Sequence, residues 1–313
     1  MSNAVIQLGP DRIRALMAHY AGSRIERNAP GVVFAAKSGG VSITAYKSGK
    51  VLFQGGGADA EASRWGGNAS PSSPKAAAPK GEKLPSGLAR MSILGSDETG
   101  TGDFFGPVTV AACFVPAEKI ALAKELGVKD SKMLTDAHML KIGPEIKEAF
   151  TNSVLVLPNE KYNAVQAKGW SQGKIKALLH NQALKHVLRK MDGLKPDHIL
   201  IDQFAERGIY YRHIASEPEI IRENVLFSTK AENLHVSVAC ASILARVAFL
   251  EEMDRLSEKA GTRLPKGAGK PVDEAAAKIL IKKGDDFLAS ITKRHFANTK
   301  KAAMLAAKRS GRS

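Results

Sequence analysis

The chain of 313 residues contains little cysteine, few aromatic residues and no long uninterrupted apolar run. Its two cysteines, Cys113 and Cys240, both lie inside apolar segments, which argues against a disulfide-stapled secreted domain. Buried free thiols in a reducing cytoplasm are expected instead. No apolar stretch approaches the roughly 18 residues that span a bilayer, and residues 1–20 mix charged with apolar side chains. Neither a membrane protein nor a signal peptide is therefore predicted.

Acidic residues are also scarce, with 31 Asp and Glu against 46 Lys and Arg, which gives a formal net charge of +15. A charge of this size favours a polyanionic partner, and nucleic acid is the natural one once a membrane surface is set aside. Several familiar catalytic signatures are missing, including the P-loop, HExxH, CxxC and nucleophile-elbow motifs. The glycines at 100, 102 and 106 do not form a dinucleotide fingerprint, because their spacing is wrong and a strand is predicted after them.

The first 66 residues predict a small α+β module. A helical stripe covers residues 10–20, three strand-like runs separated by glycine turns follow, and a short helix is predicted near residues 58–65. In the middle run, 41–46, apolar residues alternate with Ser and Thr, so one face of the strand is free to meet a ligand. Residues 67–88 are rich in Gly, Ser, Pro and Ala, which is typical of a flexible linker.

Residues 89–313 predict an α/β domain, because short apolar runs alternate with longer amphipathic segments. The predicted elements are strands at 92–97, 107–115, 153–157, 198–201 and 225–227, and helices at 174–191 and 234–256. Small residues along the last helix indicate close packing against the sheet.

Four carboxylates mark candidate chemistry in this domain. Asp97 and Glu98 end one predicted strand, Asp202 ends another, and Glu232 opens the last long helix. Strand ends and helix starts converge at one edge of an α/β sheet, where clustered acids repel one another unless a cation neutralises them. Mg²⁺ and Mn²⁺ prefer such oxygen ligands. Spacing alone leaves two interpretations open: a divalent-metal site, or a solvated strand end beside an acid in the first turn of a helix.

The adjacent positions of Asp97 and Glu98 are a difficulty for the interpretation as a metal site. Successive residues of a strand point to opposite faces, so Asp97 and Glu98 do not share a site in a regular strand. A common site would require the glycine-rich turn after them to bend the chain.

Several sequence motifs resemble the type 2 ribonuclease H family, and within it bacterial ribonuclease HIII. They are GSDETGTGDFFGPVTVAA (95–112), VKDSKML (128–134), ILIDQF (199–204), and TKAE (229–232) leading into VSVACASILAR (236–246). Residues 40–55 are similar to the TATA-binding-protein-like domain that marks ribonuclease HIII. Two departures stand out: Thr101 replaces the arginine of the ribonuclease HII Gly-Arg-Gly motif, and Ser171 lies where an asparagine is usual.

The resemblance implies a ribonuclease H-like mixed sheet with flanking helices, preceded by the TATA-binding-protein-like domain. It implies endonucleolytic cleavage of the RNA strand of an RNA–DNA hybrid, giving 5′-phosphate and 3′-hydroxyl ends. The catalytic and metal-binding residues would be Asp97, Glu98, Asp202 and Glu232, holding two Mg²⁺ or Mn²⁺ ions on the attacking and leaving oxygens. The acids Asp97 and Asp202 would bridge the ions.

Nucleic-acid contacts are expected on both domains. The RNA sugar would meet the loop Gly100-Thr101-Gly102, since the 2′-hydroxyl distinguishes RNA from DNA. The phosphate backbone would meet Lys132 in the catalytic domain and Lys37, Lys47 and Lys50 in the N-terminal domain.

Two other functions remain to be separated from this one. The first is a ribonuclease HII-like incision at single embedded ribonucleotides, and the second is a non-catalytic hybrid-binding protein. The four intact acids argue against the second. We expect a cytoplasmic monomer whose partner is an RNA–DNA hybrid and not a membrane.

Overall fold

The structure, a computed structural model, describes residues 3–27, 31–66, 84–128 and 134–311. The chain divides into two compact units, Met1–Ala78 and Pro79–Ser313. Most of the predicted linker, residues 67–83, lies outside the described residues. Its last part does not, and Leu84 and Leu88 pack into the core of the second unit.

The first unit is a four-stranded antiparallel sheet with helices on one face. Its strand order is β1-β4-β3-β2. The elements are β1 Asn3–Gln7, α1 Pro10–His19, β2 Val32–Ser38, β3 Val41–Tyr46, β4 Lys50–Gln54 and α2 Ala58–Arg64. The predicted helices and the three-stranded meander are confirmed. The edge strand β1 was not predicted, because only two of its five residues are buried and its sequence is short.

The alternation predicted for residues 41–46 separates the two faces of this sheet. Ile43 and Phe53 point to the helices and pack with Leu16 of α1 and Ala62 of α2. The other face, which we call the open face, carries side chains that are paired in register across the strands. One row joins Lys37, Ser42, Gln54 and Asn3, and Lys50 lies opposite Gln7 at the other end.

The second unit contains a five-stranded mixed sheet between helices. The elements are β5 Ile93–Thr99, β6 Val108–Val115, α3 Ile120–Glu125, α4 Asp136–Ala149, β7 Thr151–Leu157, α5 Asn159–Ala167, α6 Gln172–Lys190, β8 His198–Asp202, α7 Arg207–His213, β9 Val225–Ser228, α8 Val236–Ala260, α9 Lys270–Ile291 and α10 Asn298–Ser310. Strand order is β7-β6-β5-β8-β9; β6 is antiparallel to both of its neighbours, whereas β5, β8 and β9 are parallel. The predicted fold class is confirmed.

Helices α6 and α8 cover opposite faces of this sheet. The alternation of β6 shows this directly, since Ala111 packs in the cluster that contains α8, while Ala112 packs in the cluster that contains α6. Helix α8 lies very close to β5: a Cβ atom on Gly95 would be only 2.4 Å from the Val238 nitrogen. This contact confirms the close packing predicted from the small residues of α8 and makes β5 a central, buried strand.

Two local predictions need correction. Strand β5 extends through Thr99, so Asp97 and Glu98 lie within the strand rather than at its end. Glu232 does not open the long helix; it lies in a single 3₁₀ turn, Ala231–Asn233, and α8 begins at Val236. The reason is the cap of α8, where the His235 ring accepts a hydrogen bond from the Ser237 N–H at 3.1 Å. Within the described ranges, none of the helices has the combination of length and hydrophobicity that a membrane span needs.

Candidate active site

Strand β5 presents its two acids to opposite sides of the sheet. Its pairing with β6 stays in register from Ile93 to Thr99, so the bend that a shared site seemed to require does not occur. Asp97 points to the α8 side, where it interacts with Ser242. Glu98 points to the α6 side. The alternation rule therefore holds, and the two carboxylates approach the same edge of the sheet from its two faces.

Asp97 is a strongly perturbed acid at this edge of the sheet. Its side chain is buried, with 8% of the residue exposed. Burial, followed by the negative charges of Asp202 and Glu98, raises the pKa of Asp97 to about 8. Burial is the largest cause of the shift, and the smaller effects of the two charges mean that Asp202 and Glu98 both lie near Asp97.

A hydrogen bond joins Asp202 to the backbone of the segment between β9 and α8, which carries Glu232. Asp202 is the last residue of β8, and its Oδ1 accepts a hydrogen bond of 2.9 Å from the Ala231 N–H. Ala231 directly precedes Glu232, which is 6% exposed. Lys230 adopts a left-handed conformation (φ 57°), which turns the chain after β9 back towards Asp202. Within the described ranges, no three His, Cys, Asp or Glu side chains form a ready-made metal centre.

Glu98 has partners that the sequence analysis did not identify. Both belong to α6: Lys176 Nζ lies 2.8 Å from Oε1, and His180 Nε2 lies 3.0 Å from Oε2. Burial by itself raises the pKa of Glu98, but the hydrogen bond and charge of His180 and the charge of Lys176 bring that pKa below its ordinary value. A signal was present in the sequence, because these two residues are four apart and therefore share one face of the predicted helix.

The loop with the predicted RNA contacts, Gly100-Thr101-Gly102, is held from α6. Gln172 Nε2 donates a hydrogen bond of 2.9 Å to the Thr101 carbonyl. Gly100 has φ +90° and lies so close to the Pro107 carbonyl and Phe249 that a side chain would not fit. Gly102 has open space beside it, so the loop can be approached there.

Two other sequence-predicted features have clear outcomes. Ser171 is the N-cap of α6 and accepts a hydrogen bond of 3.1 Å from the Lys174 N–H, a role that serine and asparagine share. Serine in place of asparagine at this position therefore preserves the N-cap of α6. Lys132 lies outside the described residues.

The N-terminal lysines do not all occupy the same surface. Lys37 and Lys50 are exposed on the open face of the first sheet, whereas Lys47 lies in the turn between β3 and β4. Arg27, which was not predicted, adds a further positive charge here because its Nη1 donates to Thr44 Oγ1 at 2.7 Å. The open face is therefore basic, and Val5 adds an exposed apolar side chain to it.

Comparison with known proteins connects this arrangement with a family. A family model described as Ribonuclease HII matches residues 94–299, and one described as a domain of unknown function (DUF3378) matches residues 3–78. The chain is 59% identical to a ribonuclease HIII from Lysinibacillus sphaericus, over 96% of this chain and 99% of the relative. It is 53% identical to a ribonuclease HIII from Bacillus subtilis, over 99% of each protein.

A solved structure supports the same assignment. The crystal structure of Bst-RNase HIII in complex with Mn²⁺ matches with a TM-score of 0.70 and 47% identity, covering 98% of this chain and 100% of that chain. The acids of β5 and β8, the mixed sheet and the near-complete coverage agree, and the chain belongs to the ribonuclease HII family and, within it, to the ribonuclease HIII proteins.

Proposed function

We propose that the protein is an endonuclease that hydrolyses the RNA strand of RNA–DNA hybrids and leaves 5′-phosphate and 3′-hydroxyl ends. The observation that carries this proposal is the burial of Asp97 beside the negative charges of Asp202 and Glu98 at one edge of the sheet. Such an arrangement costs stability and is expected where function requires it. Its position in a ribonuclease HIII fold favours phosphodiester hydrolysis.

The four acids suit divalent metal ions. They offer only carboxylate oxygens, the donors that Mg²⁺ and Mn²⁺ prefer, and the raised pKa of Asp97 marks negative charge that a cation would stabilise. We assign Asp97 and Asp202 to bridging two ions, and Glu98 and Glu232 to one ion or to the attacking water. When bound, such ions would supply a nucleophilic water and stabilise the charge of the leaving oxygen.

Other residues of the site would contact the substrate. The accessible Gly102 side of the 100–102 loop is the proposed place for the RNA sugar, and Gln172 keeps the loop in position through the Thr101 carbonyl. Lys132 is proposed as a phosphate contact. The protein is proposed to act as a monomer in the cytoplasm, where its buried cysteines, Cys113 and Cys240, would stay reduced.

A cleavage assay separates this function from its alternatives. With Mg²⁺ or Mn²⁺, a labelled hybrid that contains several consecutive ribonucleotides should be cut, whereas duplex DNA and single-stranded RNA should not. A DNA duplex with one ribonucleotide should be a poor substrate, since Thr101 replaces the arginine of the ribonuclease HII motif. Efficient incision at the single ribonucleotide would favour the ribonuclease HII-like function, and binding without cleavage would favour a non-catalytic protein.

The N-terminal unit, proposed as residues 1–66, would bind the nucleic-acid backbone and be tethered through the linker, which would raise the local substrate concentration. Replacing Lys37 and Lys50 together by glutamine should weaken hybrid binding and flatten its log–log salt dependence by about 1.8, at about 0.9 for each phosphate contact. Binding titrations at several salt concentrations measure both effects.

A charge-matched control lies on the other side of the same sheet. Arg12 and Arg14 are exposed on α1, so their double glutamine variant removes the same charge away from the open face. Equal salt slopes for the two double variants would refute binding by the open face.

A further inference from the structure

Two side chains of helix α6, His180 and Lys176, each contact one carboxylate oxygen of Glu98, and the two contacts differ in chemistry. His180 is fully buried, and because a carboxylate only accepts hydrogen bonds, its Nε2 is the donor to Oε2. The other ring nitrogen, Nδ1, lies 2.8 Å from the hydroxyl of Ser96, which is itself fully buried. The imidazole is thus fixed at both ends between two residues of β5. It also packs against Phe204 in a tilted arrangement, with ring centroids 5.1 Å apart.

Lys176 is the second partner of Glu98. Its ammonium contacts Glu98 Oε1 at 2.8 Å, and the side chains of both residues are only slightly exposed, at 13% and 12%. The same ammonium lies over the ring of Phe204, 4.2 Å from the centroid. Lysine has a flexible stem and a compact charge, so the ammonium can leave Oε1 and keep the aromatic face as a partner.

We propose that Lys176 is a built-in counter-ion of Glu98 that a divalent cation has to displace from Oε1, while His180 retains Oε2 as a positioning residue. The inference rests on the proposed function, since it takes Glu98 to be a metal ligand. Two cations do not share one carboxylate oxygen without mutual repulsion. Lys176 therefore lowers the affinity of the site for the metal and neutralises Glu98 until the metal binds.

The test is a Mn²⁺ titration of the full-length protein without substrate, in which free Mn²⁺ is followed by electron paramagnetic resonance. Lys176→Met keeps the stem over Phe204 and removes the charge, so its Mn²⁺ affinity should be about fivefold higher or more. Lys174→Met is the matched control: it removes the same charge from the same helix, but Lys174 lies over Trp170, 4.7 Å from the ring centroid. The control should stay within about twofold of the parent, because solvent and salt screen the more distant charge.

A second comparison ties the effect to the carboxylate. In a Glu98→Gln background, Lys176→Met should no longer raise Mn²⁺ affinity, because the oxygen for which lysine and metal compete has lost its charge. Lys176→Gln serves for the same comparisons if the methionine variant does not fold. Equal affinities for Lys176→Met and Lys174→Met, or weaker binding by the former, would overturn the inference and leave the proposed function standing. Absence of Mn²⁺ binding by the parent protein would overturn both.

Discussion

Changing any one of Asp97, Glu98, Asp202 or Glu232 to its amide is expected to slow hybrid cleavage by about a thousandfold or more, equivalent to about 4 kcal/mol of transition-state stabilisation. Each amide keeps the shape of the side chain and removes one negative charge from the proposed site. The variants should remain folded: at Asp97 and Asp202 relief of like-charge repulsion offsets the lost hydrogen bonds, and at Glu98 the amide oxygen still accepts a hydrogen bond from α6. Loss of activity would then reflect the chemistry of the site.

Single-turnover cleavage of a labelled hybrid, together with circular dichroism of each variant, measures this effect. Asp254→Asn provides the control, since Asp254 is an exposed acid on α8 and its amide should cleave at the parent rate. If one of the four amide variants retains near-parent turnover, the assignment of that residue to the site is wrong.

Asp97→Asn is also expected to change how stability depends on pH. Burial and the charges of Asp202 and Glu98 raise the pKa of Asp97 from 3.8 to about 8 in the folded protein. Between these two values the folded state binds more protons than the unfolded state, so the free energy of unfolding falls as the pH rises from about 4 to about 8. The asparagine variant lacks this loss, so its stability relative to the parent should rise across this window by on the order of 5 kcal/mol, at about 1.4 kcal/mol for each pKa unit.

Denaturant unfolding with a chelator present, at intervals from pH 4 to pH 8, tests this expectation. The stability difference between Asp97→Asn and the parent should grow steadily across the window, whereas that between Asp254→Asn and the parent should not. A difference that stays constant with pH would mean that Asp97 does not carry the raised pKa. The chelator matters, because a bound cation would stabilise the charged form and hide the effect.

Glu98 could be identified as a candidate from the sequence, whereas its contacts with its two partners could not. Asp97, Glu98 and Asp202 were found as candidates from local signals, because they end predicted apolar strands, but spacing left a solvated strand end open and the resemblance was needed to favour a metal site. Lys176 and His180 are 78 and 82 residues away from Glu98 along the chain. Their role depends on α6 packing across the sheet from α8, which no local pattern specifies.

The sequence by itself determined the two-part organisation, the α/β class of the second part, the alternation of faces in β3 and the acids themselves, since propensity, periodicity and turn residues are properties of neighbouring positions. Only the tertiary structure decided that Asp97 faces α8 while Glu98 faces α6, that Glu232 lies in a 3₁₀ turn before α8, and that Lys176 neutralises Glu98. The physical reason is that burial, like-charge repulsion and ion pairing depend on distances between segments far apart in the chain, and packing of the sheet between its helices sets those distances.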